Sequence, residues 1–249
     1  MSEINEDFCS RINATDLRGA LPTNKNGTKF RWRDPSQLKG IVFHQSLSWG
    51  NIEQTHKYHT GPNHMAANGL ERISYTIGIR RNGEVCFLNN LETKTWSQGI
   101  TKRYGDENAE FLAVLFEGMF KWGNETEYLG QKLGEPSEQQ LQSALDIWNN
   151  TASYFNWDTQ DLYGHFDFGK PACPGNTLES FILGIRNQYD FSSIKDKERF
   201  LKSFGFESIR SFQETVNISG YGKKIGVDGA FGPQTTSAAH YWVQHHSPQ

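Results

Sequence analysis

The chain has 249 residues, enough for one large domain or two smaller ones. A formal net charge of −3 gives no bulk attraction to nucleic acid, so no nucleic-acid partner is expected, and three Cys suggest no disulfide framework. No run approaches the ~20 apolar residues of a membrane span, which argues against membrane insertion, while seventeen Phe, nine Tyr and seven Trp can build a core.

Taken in order, the start Met1-Ser2-Glu3-Ile4-Asn5-Glu6-Asp7 is acidic and polar. A secretory signal needs a basic start and an apolar run, so the expectation is a protein made and folded in the cytoplasm. Residues 1–36 are polar and rich in Asn, Arg and Gly, and read as an N-terminal arm with little regular structure. Lys39 to Gln45 is the first strand, β-branched and aromatic, with His44 at its C-terminal end. Asn51 to His59 predicts a short helix ending before Gly61-Pro62. Ile73–Ile79 and Glu84–Leu88 flank Asn82-Gly83 and predict a hairpin with a type I′ turn. Phe111–Phe116 is a continuous apolar run, as in a central strand buried on both faces.

Ser137 and Gln140 fit a capping box, and Leu141, Ala144, Leu145, Trp148, Ala152 and Phe155 follow helical spacing behind it. Leu178, Phe181, Ile182, Ile185 and Tyr189 predict a second amphipathic helix. Strands interleaved with helices imply a mixed α/β domain, a central sheet with helices packed on it. Composition changes near Phe191. Residues 191–249 carry seven Lys/Arg against five Asp/Glu, hence +2, and residues 1–190 therefore carry −5. Helical segments at Asp196–Phe204, Glu207–Ile218 and Pro233–Gln244 predict a small all-α, three-helix domain after a boundary near residue 191.

The stretch Gly164 to Gly175 places His165 and Cys173 on one Gly- and Pro-rich loop, short enough to turn both toward one ion. A third ligand must come from elsewhere. His56, His59, His64, His240, His245 and His246 lack a strand end or a shaped loop and read as ordinary surface or core residues. His44 has the strand end. His44, His165 and Cys173 are therefore the candidate zinc ligands, three in number as in catalytic sites that keep a position for water.

The chain from Lys39 to Tyr189 resembles the zinc-dependent N-acetylmuramoyl-L-alanine amidases of the type 2 family, which includes small phage lysins and peptidoglycan recognition proteins. The matching pieces are Ile41-Val42-Phe43-His44, Ser74-Tyr75-Thr76-Ile77, Arg81-Asn82-Gly83-Glu84-Val85, and Thr95-Trp96-Ser97 with Gly99. Asn108 ahead of the Phe111–Phe116 strand, Gly164-His165-Phe166-Asp167 and Ala172-Cys173-Pro174-Gly175 complete them. The resemblance implies Zn²⁺ on His44, His165 and Cys173, bacterial peptidoglycan as partner, and hydrolysis of the amide between muramic acid and L-alanine. It implies that Tyr75 orients water or steadies the oxyanion, and it leaves Lys170 as a second catalytic candidate. Asp167 reads as a ligand's hydrogen-bond partner or, more simply, as a cap on local amides.

Departures from the family fall at Thr76 and Ser97, where His is common, and at Pro171, where Lys or Thr is common. Leu115 stands where some relatives carry Glu. The segment Val227-Asp228-Gly229-Ala230-Phe231-Gly232-Pro233-Gln234-Thr235, leading to Ala238-Ala239 and Trp242, resembles the three-helix peptidoglycan-binding modules. Turn and helix-start chemistry accounts for Asp228-Gly229 and Gly232-Pro233 equally well. The expectation is an amidase domain over 1–190 and a wall-binding module over 191–249. Together they would make a monomeric phage endolysin or prophage-borne autolysin, held in the host cytoplasm until lysis and then acting on the cell wall. Two alternatives remain open. One is a non-catalytic peptidoglycan-binding protein. The other is a structural zinc protein in which His59 or His64 closes the site.

Overall fold

The computed structural model describes residues 3–63, 66–99, 105–186, 194–219 and 224–232, with 234–235, 238–239 and 242 beyond them. The chain divides into two compact units, Met1–Ile185 and Arg186–Gln249.

The first unit begins with helix α1 (Glu3–Arg11) and strands β1 (Thr15–Asp16), β2 (Arg31–Trp32) and β3 (Gly40–Gln45). Helix α2 (Ile52–Thr60) follows, then β4 (Ile77–Ile79), β5 (Val85–Phe87), β6 (Thr93–Lys94), the single turn α3 (Glu107–Glu110) and β7 (Phe111–Phe116). After the hairpin β8 (Glu127–Tyr128) and β9 (Gln131–Lys132) come α4 (Glu138–Phe155), β10 (Leu162–Gly164) and α5 (Asn176–Arg186). Six strands form one mixed sheet in the order β1-β5-β4-β7-β3-β10, parallel except for the antiparallel pair β4–β5. Helices flank it, so the fold is the mixed α/β class.

The two apolar strands take the centre because every residue of β3 and β7 is buried, as a strand covered on both faces requires. Alternation divides their side chains. Ile41, Phe43, Leu112, Val114 and Phe116 join the main core with Ala144, Ile147 and Trp148 of α4 and Leu178 and Ile182 of α5. Leu115 faces the other way and packs with Ile52 of α2, Ile73, Cys86 and Leu88. His44, two residues after Val42, lies on that second face.

The N-terminal segment differs from an irregular arm. Residues 3–11 are helical, and Phe8, Cys9 and Ile12 are buried in the main core, Phe8 against the rings of Phe87, Tyr154 and Phe155. β1 then extends the sheet beside β5. The apolar residues Ile4, Phe8 and Ile12 sit four apart and supply the stripe, diluted by polar neighbours. The hairpin also differs in its turn. Gly83 has φ +86° while Asn82 is not left-handed, the Gly83 N–H donates to the Arg80 carbonyl at 2.9 Å, and the Arg80 N–H to that of Glu84 at 2.9 Å. That is a three-residue loop with glycine at the left-handed position, not a type I′ turn.

The second unit contains α6 (Ile194–Ser203) and α7 (Ile209–Ile218). Phe200, Phe204, Phe212, Val216, Ile225, Ala238, Ala239 and Trp242 form its core. Buried Gln213 fixes the loop that follows: its Nε2 donates to Asp228 Oδ1 at 2.8 Å, the Ala230 carbonyl at 3.0 Å and Thr235 Oγ1 at 2.9 Å, and its Oε1 accepts the Gly229 N–H at 2.9 Å. Of the expected third helix, Pro233–Gln244, residues 234, 235, 238, 239 and 242 are helical and the rest lie outside the described residues, as do His64, Tyr189, Phe191, His240, His245 and His246.

Candidate metal centre

Strand register brings the ligands together. β10 runs parallel to β3 with Gly164 opposite Phe43, so His165, which follows the end of β10 in a short 3-10 turn, comes beside His44 of β3. The imidazole centroids are 4.4 Å apart, about the spacing of neighbouring strands. Gly164 permits the chain to double back here: a Cβ on it would meet the Phe166 ring at 2.2 Å and Pro174 at 3.0 Å. The returning loop sets Cys173 Sγ 3.8 Å from His44 Nδ1. The donor atoms of His44, His165 and Cys173 all lie within 4.8 Å of one another.

The environment suits a metal. His44 is fully enclosed, and Nδ1 is its ring nitrogen that faces Cys173 Sγ. By Zn–N and Zn–S bond lengths, the N···S edge of a tetrahedral zinc site is about 3.6 Å, and the Sγ–Nδ1 distance of 3.8 Å fits it. His165 Nε2 lies 3.0 Å from the carbonyl of Gln98. A carbonyl only accepts, so Nε2 carries the proton and Nδ1 keeps a lone pair for a metal. Cys173 Sγ accepts the backbone N–H of Gln45 at 3.4 Å.

Burial sets the protonation states. It lowers His44 well below the usual imidazole range, with the neighbouring His165 adding to the effect. It pushes His165 down to about 4, opposed by the Gln98 carbonyl and assisted by the positive charge of Lys170. It pushes the Cys173 thiol up to about 12 against the Gln45 N–H. Both imidazoles are thus neutral and ready to ligate, and metal binding would displace the thiol proton.

Tyr75 sits beside this cluster. Its ring is 5.3 Å from that of His44, edge-on, and 5.7 Å from that of His59, stacked. Burial, then the nearby Cys173, raise the phenol above its usual range, so it stays protonated. Lys170 is exposed on the His165–Cys173 loop. Asp167 Oδ2 accepts the Gly164 N–H at 3.0 Å, a local cap. Leu115 is fully buried opposite His44 across the β3–β7 ladder. The buried carboxylate two residues on, Glu117, accepts the Ile52 N–H at 2.6 Å and pairs with Arg80 at 3.4 Å, away from the cluster's chemistry. His59 is not among the clustered ligands; its Nδ1 accepts the Ser74 N–H at 3.1 Å.

Gln98, Gln45 and Asn108 complete the surroundings. Asn108 Oδ1 accepts the N–H of Gln98 at 3.0 Å and its Nδ2 donates to the Gly99 carbonyl at 3.0 Å, which orients the peptide facing His165. Gln98 acts through its main chain and leaves no mark in residue type. Gln45 had a signal that could have been used, a polar residue ending a buried strand.

No protein-family model and no curated protein matches the chain. Solved structures it is similar to include N-acetylmuramoyl-L-alanine amidases and peptidoglycan recognition proteins. The amidase LysC from Clostridium intestinale is 19% identical, over 64% of this chain and 96% of its own, with a TM-score of 0.44. The drosophila peptidoglycan recognition protein SD is 15% identical, over 67% and 94%, with a TM-score of 0.46. The ectodomain complex of peptidoglycan recognition proteins LCa and LCx, solved with tracheal cytotoxin bound, gives 17% identity over 68% and 93%, with a TM-score of 0.47. At such values residue roles do not transfer, and the functional reading rests on the site.

Proposed function

We propose that this chain is a zinc-dependent N-acetylmuramoyl-L-alanine amidase of bacterial peptidoglycan. Residues 1–190 would carry the catalytic site and residues 191–249 a wall-binding module. The activity is that of an endolysin reaching the wall from the host cytoplasm. The observation that carries the reading is the convergence of one donor atom each from His44, His165 and Cys173 to within 4.8 Å of one another. The sequence motifs around those three residues support the substrate.

A bound zinc would supply Lewis-acid polarisation of the scissile carbonyl and a water of lowered pKa. The chain does the rest. His44 and His165 offer neutral lone pairs, the second oriented by the Gln98 carbonyl. The Gln45 N–H stabilises a thiolate on Cys173. Tyr75, protonated and with its ring edge-on to that of His44, would donate a hydrogen bond to the developing oxyanion. Lys170 would contribute a positive charge near the site, with no side-chain hydrogen bond or ion pair among the described residues.

A second reading, peptidoglycan binding without cleavage, draws on Pro171 and Leu115, which leave two positions without polar groups. Cleavage assays on the metal-stripped and zinc-restored protein separate the two. The proposal expects activity lost on stripping, restored by zinc, and absent in Cys173→Ser. Wall binding that persists with no cleavage under any metal condition would favour the second reading.

A further inference from the structure

We propose that Gln45 is a positioning residue for the metal centre, clamping the Cys173 loop onto the strand that carries His44; this rests on the metal reading above. Gln45 ends β3, directly after His44, and is 5% exposed. Its side chain is used at both ends. Nε2 donates to the carbonyl of Ala172 at 2.6 Å, and Oε1 accepts the N–H of Phe120 at 2.6 Å. Its backbone N–H donates to Cys173 Sγ at 3.4 Å. One residue therefore joins three pieces of chain: the strand bearing one ligand, the loop bearing another, and the segment after β7 against which that loop rests. The last contact is reinforced by the Asn176 N–H donating to the Lys121 carbonyl at 2.7 Å.

The chemistry explains why an amide is needed. A carboxylate of the same shape would keep the acceptor for Phe120. It would set a second acceptor against the Ala172 carbonyl, one residue from Cys173, and add a negative charge beside the thiolate. An apolar chain of the same length would take the donor from the part-buried Ala172 carbonyl and the acceptor from the buried Phe120 N–H. Either change loosens the thiolate while leaving all three ligands in the sequence. Partners of this kind around ligands typically govern metal affinity by about 10–100-fold.

The test uses the full chain as wild type, Gln45→Glu and Gln45→Met. Each is stripped of metal, titrated with zinc against a chromophoric chelator, and separately loaded with Co²⁺. The expected result has three parts. The metal-free variants keep the wild-type far-UV circular dichroism. Zinc affinity falls by about 10–100-fold. The thiolate-to-cobalt charge-transfer band weakens or shifts. Variants that bind zinc as tightly as the wild type, with an unchanged cobalt spectrum, overturn the inference. Metal-free variants that are unfolded also overturn it, because Gln45 would then serve the fold and not the site. A wild type whose zinc uptake is unaffected by Cys173→Ser overturns the metal reading itself, a result distinct from the other two.

Discussion

Tyr75 packs against the cluster of Ile73 and Leu88 and has its ring next to that of His44, and the proposed function gives its hydroxyl a catalytic role. Tyr75→Phe keeps the ring and removes the hydroxyl. It should lower kcat by on the order of 10²-fold, as loss of one transition-state donor does, with zinc content unchanged. Lys170→Ala should cost less than about tenfold, or ~1.4 kcal/mol, because the side chain is exposed and makes no hydrogen bond or ion pair among the described residues. Steady-state kinetics on metal-loaded variants decides the ranking, and the reverse order would move the catalytic role to Lys170. The metal-free protein should also show a distinctive acid response. Burial lowers both His44 and His165, the latter to about 4, below the ordinary ~6.5 of an unfolded chain. Between those values the unfolded state binds more protons than the folded one, so stability rises with pH there and falls as pH drops from about 6.5 toward 4. Thermal unfolding of metal-free protein across that window should show Tm falling on acidification. A His44→Phe, His165→Phe double variant should show a flatter profile, and an identical slope would contradict the assignment. The three ligand candidates were legible in the sequence because a strand-end His and a His–Cys loop are side-chain signals. The Gln98 carbonyl was not, since any residue can supply it.

At the scale of elements, helix α4 was legible to the residue. Ser137 Oγ accepts the Gln140 N–H at 3.0 Å, and Gln140 Oε1 accepts the Ser137 N–H at 3.1 Å, the reciprocal box that the sequence implies. The central strand Phe111–Phe116 was also legible, since a run of six apolar residues has the length of a strand covered on both sides. Helix α1 was hidden. Its apolar residues number few, and its stability comes from packing on Phe87, Tyr154 and Phe155, contacts distant in sequence. Phe8→Ala should therefore destabilise the protein by about 3–5 kcal/mol, the range for deleting a buried aromatic. Urea denaturation measures it, and a cost near zero would restore the picture of a loose arm. The hairpin turn was misread because Asn-Gly suits both a two-residue turn and the last two positions of a three-residue loop. The φ of Asn82 decides, and sequence does not report it.

At the scale of the whole molecule, the division between Ile185 and Arg186 falls five residues before the sequence-based boundary at 190/191, which itself lies outside the described residues. Each unit has its own apolar core. A fragment ending at Arg186 should fold, bind zinc as the full chain does, and cleave soluble wall fragments, while binding intact walls less well. Pull-down on purified walls measures the last point, and equal binding by the fragment would remove the role proposed for residues 191–249. The account as a whole turns on which bond is cut. Purified peptidoglycan is digested with the zinc-loaded full chain, with and without chelator, and the new ends are identified. New N-terminal alanine that disappears with chelator or with Cys173→Ser is the predicted result. New reducing sugars, or alanine release indifferent to both, would contradict it.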